Sequence, residues 1–481
     1  MAAMALGRKF AGNFFVQIAG RVLAVFIGLV SIGILTRTLG TESYGEYTTA
    51  MTFLQMFGVV VDFGLTLTLV VMISEKGADE KKIVGNFLSL RLISGAILFT
   101  LAPLTVLAFP WSEAVKTGVA VGALSYLLMA GATMLIGIFQ KHQSMWRAAL
   151  AELINRAVLL AVIVWFASMN LGVVAMIGAG IVSNFAWLVV MIHFAKPFVS
   201  VVPQFDFKVW KQALSKSWPI AISIIFNLLY LKGDILFLAY FREQSEVGLY
   251  GFAYKLIDVL TALPVMFMGL LLPALVADFS LRNLQAFREH MATSFDLFML
   301  GTIPVIVGAQ VVAEPLMVLI AGPDFETSGT MLKLLILAML GVFLGALWGH
   351  AVVAINKQKE MIWGYAFVAI VAVVGYLLYI PAYGAWGAIW VTLVSEALIA
   401  FLTFAMVYKN TKALPNLTVT VKALLSSAAM YLVLVLLPDI HVLIEVSIGA
   451  VVYVVLIFAL GGVKVSSIRG MLAKPEHPAH S

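Results

Sequence analysis

Long apolar segments recur along almost the whole chain, from Phe10 to Leu460, and they constrain the fold more than any other feature. Hydrophobic residues make up 62% of the sequence and charged residues only 11%, whereas an ordinary soluble domain is about a quarter charged. A water-soluble core cannot bury so much apolar surface. The sequence therefore predicts one integral membrane unit rather than several soluble domains.

The predicted spans are α-helices, because the hydrocarbon core of a bilayer offers no water to unpaired backbone groups, and about 20 apolar residues cross it as a helix. The predicted fold class is an all-α polytopic membrane protein with about fourteen spans. These spans cover residues 11–36, 44–74, 83–110, 114–140, 147–169, 171–194, 217–241, 246–277, 288–313, 327–355, 360–380, 384–408, 419–437 and 441–462.

The positions of lysine and arginine predict the orientation, since positively charged loops stay on the cytoplasmic side. With a cytoplasmic amino terminus, the cytoplasmic segments hold 21 of the 30 basic residues. The external loops hold three, namely Arg37, Lys116 and Arg242. Both termini are therefore predicted to be cytoplasmic.

A short motif and a long polar break together predict two similar halves. The motif G-x-Y-x-x-A opens the second span at Gly45 and the eighth at Gly248, 203 residues later. Parallel repeats of this kind are a transporter architecture. Between the halves, lysines alternate with apolar residues as in an amphipathic helix lying on the cytoplasmic surface. The predicted divisions are an amino-terminal lobe of six spans (1–195), this linker (196–216), a second lobe of six spans (217–410), and two further spans with a cytoplasmic tail (411–481).

Basic residues inside predicted spans are the best functional clue, because a charge near the bilayer centre costs at least ~2.5–3.5 kcal/mol without a partner or a water-filled cavity. Glu152 and Asp258 lie at helical spacing from Arg156 and Lys255, so ion pairs are an alternative for those two. Lys333 is predicted to reach the interface. The six basic residues are Arg21, Arg91, Arg156, Lys232, Lys255 and Lys333.

Five of these cations are predicted to line one cleft between the halves: Arg21, Arg91, Arg156, Lys232 and Lys255. A positive cleft attracts an anion, and guanidinium groups match phosphate in a bidentate way. The cargo expected is a phosphate-bearing amphiphile. Acids in the spans either neutralise these cations or carry protons or sodium; the candidates for ion coupling are Asp62, Asp234, Asp258 and Glu396.

Enzymatic and cofactor signatures are missing from the sequence. The chain has no cysteine, Walker A motif or H-E-x-x-H zinc motif, and the longest predicted external loop, residues 314–328, is too short for a catalytic domain. We therefore expect no enzymatic activity, catalytic residue, metal or cofactor. Basic residues form no block of five or more, which argues against nucleic acid as a partner.

Three short segments of the first half resemble the polysaccharide-biosynthesis flippases, a branch of the multidrug, oligosaccharidyl-lipid and polysaccharide exporter superfamily. They are Leu35-Thr36-Arg37-Thr38-Leu39-Gly40, Tyr44-Gly45-Glu46-Tyr47 and Asp62-Phe63-Gly64-Leu65. The second half adds Gly233-Asp234, Val247-Gly248-Leu249-Tyr250, Ala253-Tyr254 and Leu272-Pro273. The resemblance implies alternating access, a glycan cargo linked through pyrophosphate to undecaprenol, and a cationic lumen that holds the pyrophosphate.

The leading hypothesis is a flippase for lipid-linked oligosaccharide in the bacterial inner membrane. Its partners would be the lipid-linked glycan, membrane lipids, and a polysaccharide polymerase or glycosyltransferases. Two alternatives stay open. One is a proton- or sodium-coupled multidrug exporter of the same superfamily, and the other is a membrane scaffold for glycan synthesis that transports nothing.

Overall fold

Every regular element that the computed structural model describes is a helix. It describes residues 2–438 and 440–462, with side chains for residues 20, 23–218, 221, 224, 226, 232–438 and 440–462. The α-helices in that part are α1 (Ala2–Asp62), α2 (Leu65–Ser74), α3 (Glu80–Thr105), α4 (Glu113–Met134), α5 (Ile136–Lys141), α6 (Met145–Ser168), α7 (Gly172–Ala195), α8 (Phe207–Phe241), α9 (Gln244–Ser280), α10 (Leu284–Ala321), α11 (Glu326–Leu335), α12 (Ala338–Ala354), α13 (Gln358–Thr411), α14 (Thr418–Leu436) and α15 (Val442–Ala459).

Length and composition mark this chain as a multi-pass membrane protein. In the described part, ten helices are long and apolar enough to cross a bilayer. The helical pair Pro323–Leu335 and Ala338–Ala354, bent by 48°, raises the number to eleven if it is one broken span. The predicted total of fourteen and the cytoplasmic placement of both termini stay predictions.

Two of these helices are too long to be single crossings. α1 has 61 residues and α13 has 54, so a straight helix of either length would extend about 80–90 Å, against about 30 Å of hydrocarbon. Each contains one glycine with non-helical backbone, Gly40 (φ 70°) in α1 and Gly384 (φ 58°) in α13. Only glycine adopts such conformations without steric cost. Both breaks fall where the sequence predicts one span to end and the next to begin.

The chain forms two compact units. Unit 1 comprises residues 1–252, 320–325 and 365–392, and unit 2 comprises residues 253–319, 326–364 and 393–481. Unit 1 therefore holds the predicted amino-terminal lobe, the predicted linker, and three segments of the predicted second lobe, 217–252, 320–325 and 365–392. The four divisions predicted from the sequence stay a prediction.

The core of unit 1 is built from tightly packed helices. α4 packs against α7 and α3, while α6 packs against α7 and α1. A large apolar cluster lies near the predicted cytoplasmic ends of these helices and includes Leu69, Phe87, Phe139 and Met191, all at most 1% exposed. This packing holds the polar side chains of the candidate site in fixed positions.

The linker between the predicted lobes docks on the start of α3. The Gln204 amide donates to the Gly85 carbonyl (3.0 Å), the Asp206 amide donates to Asn86 Oδ1 (2.6 Å), and Lys82 pairs with Asp206 (2.7 Å). Residues 199–206 are not helical, and α8 begins at Phe207 and continues without interruption to Phe241. The linker helix is thus the first part of α8 rather than a separate element.

Candidate functional site

An ion pair between Asp62 and Arg91 lies where two helices of unit 1 are broken. α1 ends at Asp62, and the next two residues, Phe63 (φ 46°) and Gly64 (φ 70°), are left-handed before α2 begins. α4 likewise ends at Met134, and a single residue, Leu135, separates it from α5. Breaks of this kind leave backbone groups that need other partners.

Arg91 contacts residues beside both breaks. Its side chain is 4% exposed and pairs with Asp62. It also donates from Nε to the Ala130 carbonyl (3.2 Å) and from Nη2 to Thr133 Oγ1 (3.1 Å), while Thr66 donates to the same Asp62 carboxylate (2.6 Å). These contacts favour a structural role for Arg91. Its predicted role in substrate binding, and that of Asp62 in ion coupling, stay predictions.

A second buried carboxylate, Asp234, belongs to α8. Its side chain is 0% exposed and accepts hydrogen bonds from the Tyr250 hydroxyl and from the Ile235 amide (2.8 Å). Tyr250 is the tyrosine of the second G-x-Y motif and is itself fully buried. Lys232, two residues before Asp234, is half-buried and also makes contacts. The motif tyrosine therefore holds an acid that was predicted as a candidate for ion coupling.

Arg156 differs from Arg91 in its exposure. Its side chain is 42% exposed, and its guanidinium lies 3.7 Å from Glu152 one turn earlier in α6. It also interacts electrostatically with the hydroxyl of Tyr47, the tyrosine of the first G-x-Y motif. Tyr47 in turn stacks on Tyr44, with ring centroids 6.0 Å apart. Arg156 is thus on the side of α6 that faces Tyr47 of α1.

The other candidates described here lie in unit 2. Lys255 is exposed, Asp258 is half-buried and Glu396 is 4% exposed, and none of the three is without a partner. Lys333 pairs with Glu314 (2.9 Å), and its predicted reach to the interface stays a prediction. The partner lies on another helix, so spacing along the sequence did not reveal it.

The side chain of Arg21 lies outside the described residues, and its position in the cleft stays a prediction. Within the described part, no group of three His, Asp or Glu side chains lies close enough to hold a metal ion.

The two copies of the G-x-Y motif meet inside unit 1. A Cβ atom built on Gly45 would lie 3.0 Å from the backbone nitrogen of Gly248, and one built on Gly248 would lie 3.0 Å from that of Gly45. Either atom would overlap a backbone carbonyl, that of Gln244 or that of Thr41. We call this contact the glycine junction and define it by Thr41, Gly45, Thr48, Gln244, Gly248 and Gly251.

The family follows from the sequence of the chain together with this geometry. Residues 10–277, more than half of the chain, match the model of the family described as "Polysaccharide biosynthesis protein". The chain belongs to the polysaccharide biosynthesis protein family. This finding confirms the resemblance recognised in the motifs of both halves. No curated protein matches the sequence.

Solved structures with the same fold are transporters. The lipid II flippase MurJ in its inward closed conformation has a TM-score of 0.73 and 14% identity, over 96% of this chain and 99% of that chain. A multidrug resistance MATE family transporter of the MOP superfamily, inward-facing, has a TM-score of 0.69 and 15% identity, over 83% and 98%. A MOP superfamily transporter from Pyrococcus furiosus has a TM-score of 0.58 and 14% identity, over 84% and 95%. At these identities the likeness concerns the fold.

In this member of the polysaccharide biosynthesis protein family, the motif residues have clear structural positions. Asp62-Phe63-Gly64 forms a helix break, Gly45 and Gly248 form the glycine junction, and Tyr250 holds Asp234. Sequence reasoning did not identify Thr66 and Thr133 as partners of the Asp62–Arg91 pair. Hydroxyl side chains are common inside membrane helices, so the presence of these two threonines in the sequence did not indicate that they contact the ion pair.

Proposed function

We propose that this chain is a flippase that carries undecaprenyl-pyrophosphate-linked oligosaccharide across the bacterial inner membrane by alternating access. The pyrophosphate would bind between the two halves from the cytoplasmic side. The halves would then rock, the glycan would leave on the external side, and the lipid tail would stay in the bilayer throughout.

Family membership and fold support transport of a lipid-linked cargo. The family is one of polysaccharide biosynthesis, and one protein of the same fold is a lipid II flippase. The cargo of such a protein is a glycan with a charged phosphate linkage, which needs cations at membrane depth. The basic residues inside the predicted spans point to the same class of cargo.

The placement of Arg156 is the observation that carries the proposal. A guanidinium inside a membrane helix is costly unless it is paired or hydrated, yet Arg156 is 42% exposed, and 3.7 Å from Glu152 is a loose contact. It lies near Tyr47 of α1, the helix against which α6 packs. A hydrated guanidinium at this point suits an entering pyrophosphate.

The remaining predicted residues have secondary places in the proposal. We assign Lys232, Lys255 and Arg21 as further contacts of the anionic linkage. We assign Arg91 as the group that stabilises the broken helices around Asp62. Ion coupling, if the cycle uses it, falls to the candidates Asp62, Asp234, Asp258 and Glu396.

The test is a vesicle assay with a fluorescent undecaprenyl-pyrophosphate oligosaccharide and a membrane-impermeant quencher. Arg156→Ala should lower the transport rate at least tenfold while leaving expression and the unfolding temperature unchanged, and Arg156→Lys should retain part of the rate. Lys116→Ala is the matched control, because Lys116 is an external cation paired with Glu113 (2.9 Å). An unchanged rate in Arg156→Ala would remove this residue from the mechanism.

A cation-coupled multidrug exporter is the second candidate. The fold it shares with a multidrug resistance transporter (TM-score 0.69) and the buried carboxylate of Asp234 favour it. Overexpression would then confer drug resistance, and Asp62→Asn or Asp234→Asn would abolish it. The third candidate is a scaffold for the polymerase or glycosyltransferases of glycan synthesis. It would be supported if vesicles that hold folded protein move neither the oligosaccharide nor a drug.

A further inference from the structure

The glycine junction joins the two sequence halves through their backbones. Gly45 lies in α1 and Gly248 in α9, and neither leaves room for a Cβ atom beside the facing helix. Gly251 likewise lies against the side chain of Thr48, since its Cβ atom would be 2.6 Å from Thr48 Cγ2. Glycines at such a contact let two helices approach more closely than side chains permit.

The contacts at the junction are reciprocal. Gly45 lies against the carbonyl of Gln244, which is four residues before Gly248, and Gly248 lies against the carbonyl of Thr41, which is four residues before Gly45. Equivalent positions in the two copies are 203 residues apart in every case: Thr41 and Gln244, Gly45 and Gly248, and Thr48 and Gly251. Reciprocal contacts of this form are those of a two-fold axis, so the junction lies on the local symmetry axis of the duplicated motif.

Hydrogen bonds around the glycines make further contacts between the two halves. Thr49 Oγ1 donates to Gln244 Oε1 (2.7 Å), Arg37 Nε donates to the Ile320 carbonyl (3.1 Å), and Trp111 Nε1 donates to the Ala239 carbonyl (2.8 Å). Each of these bonds joins the first half to the second within unit 1.

Aromatic rings fill the space beside the glycines. Tyr44 packs edge-on against Phe252 (6.2 Å between centroids) and against Phe325 (5.8 Å), and Phe252 packs against Phe325 (5.3 Å). Tyr44, Phe252 and Phe325 are at most 3% exposed. These three rings are therefore shielded from solvent.

We propose that the glycine junction is the latch that closes the predicted external side of the passage, and that the two halves part there when cargo leaves. This inference rests on the proposed function and adds to it a defined opening point. The glycine junction and its surroundings consist of backbone contacts, a few hydrogen bonds and ring packing. Separating the halves therefore leaves no buried charge without its partner at Gly45 or Gly248. A contact on the symmetry axis also lets both halves tilt away equally.

Crosslinking tests the latch directly, because the natural chain contains no cysteine. Thr49→Cys and Gln244→Cys are introduced together and joined in vesicles with a short bis-methanethiosulfonate reagent, which forms a disulfide with each thiol and releases sulfinate. Transport of the fluorescent undecaprenyl-pyrophosphate oligosaccharide should fall at least tenfold and recover on reduction. The matched pair is Glu46→Cys with Ser112→Cys, whose side chains are hydrogen-bonded (2.6 Å) within the first half. Crosslinking that pair should leave transport unchanged.

Thiol labelling tests the same latch without a transport measurement. Thr49 is 0% exposed, so a membrane-impermeant maleimide added outside should label Thr49→Cys slowly. Adding Gly45→Ala or Gly248→Ala should raise the labelling rate at least tenfold, because the new methyl group overlaps the facing backbone. Alanine favours helix more than glycine does, so weaker helices would not explain the change. Gly28→Ala is the control, since a Cβ atom there has open space within 4 Å.

The outcomes separate the latch from the proposed function. Full transport by the crosslinked Thr49–Gln244 pair, or equal labelling rates in the Gly45→Ala, Gly248→Ala and Gly28→Ala backgrounds, would overturn the latch. If the cysteine-free chain fails to move the oligosaccharide, the proposed function fails, and the labelling rates still decide whether the junction opens.

Discussion

The carboxylate of Asp62 lies against the guanidinium of Arg91 at a point where α1 gives way to α2. The two residues are 29 positions apart and belong to different helices. The pair lies beside this helix break, and Arg91 also joins α3 to α4 through hydrogen bonds to Ala130 and Thr133. A charge that looks uncompensated along one helix is thus compensated in the fold.

Removing Arg91 should destabilise the protein rather than only slow transport. Breaking a buried pair by removing one partner costs ~3–5 kcal/mol, because the other charge is left without compensation. Arg91→Ala should therefore lower the free energy of unfolding by about that amount, measured by denaturant titration in detergent. Arg156→Ala should change it by no more than ~1 kcal/mol, since partly exposed pairs contribute little. Equal losses in the two variants would contradict the structural role of Arg91.

The hydrogen bond from Tyr250 to Asp234 should contribute measurably to stability. Hydrogen bonds to charged acceptors contribute ~1.5–3 kcal/mol and those to neutral acceptors ~0.5–1.5 kcal/mol. Tyr250→Phe should thus lower the free energy of unfolding more than Tyr453→Phe, whose hydroxyl donates to the neutral carbonyl of Leu300 (2.8 Å). Denaturant titration of both variants measures the difference. A larger loss of unfolding free energy in Tyr453→Phe would show that the hydrogen bond from Tyr250 to Asp234 does not contribute the expected stability.

Apolar runs and glycine positions predicted much of the fold. Hydropathy placed the helices, and the breaks at Gly40 and Gly384 lie where predicted spans meet. The copies of the G-x-Y motif do correspond in position, since Gly45 and Gly248 face one another. These features depend on local sequence, which is why they were accessible from the sequence alone.

Features that depend on contacts between distant segments were not predicted. Asp62 was missed as the partner of Arg91, and Glu314 as the partner of Lys333, because only partners one turn away on the same helix were considered. The break of α4 at Leu135 was also missed, since no proline or glycine occupies that residue. The linker was expected as a helix of its own, but residues 199–206 are not helical and the helix that begins at Phe207 continues as α8.

Docking of the linker on α3 should depend on pH through Asp206. The hydrogen bond from Lys82 lowers the pKa of the Asp206 carboxyl below its ordinary value, and the Lys208 amide lowers it further. A lowered pKa in the folded state means that the stabilisation is complete above the unfolded value of about 3.9 and is lost as pH falls through the folded value. Hydrogen exchange at the Gln204 amide, corrected for its intrinsic rate, should therefore stay slow from pH 7 to about 5.

Below about pH 4, the same amide should exchange faster as Asp206 takes up a proton. Asp206→Asn is the control, because its side-chain oxygen can still accept from the Lys208 amide but carries no charge for Lys82. Its exchange at Gln204 should show little change over the acidic range. A similar acid response in both proteins would place the titrating group elsewhere.

The two glycine breaks should differ in their tolerance of alanine. Positive φ angles of the kind found at Gly40 and Gly384 cost a non-glycine residue ~1–3 kcal/mol, so both substitutions should lower the unfolding temperature. At Gly384 the new Cβ atom would also overlap the carboxylate of Glu246, which accepts a hydrogen bond from the Ala385 amide (2.7 Å). At Gly40 it would meet nothing within 4 Å. Thermal unfolding should therefore show the larger loss for Gly384→Ala, and equal losses would mean that Glu246 moves aside without cost.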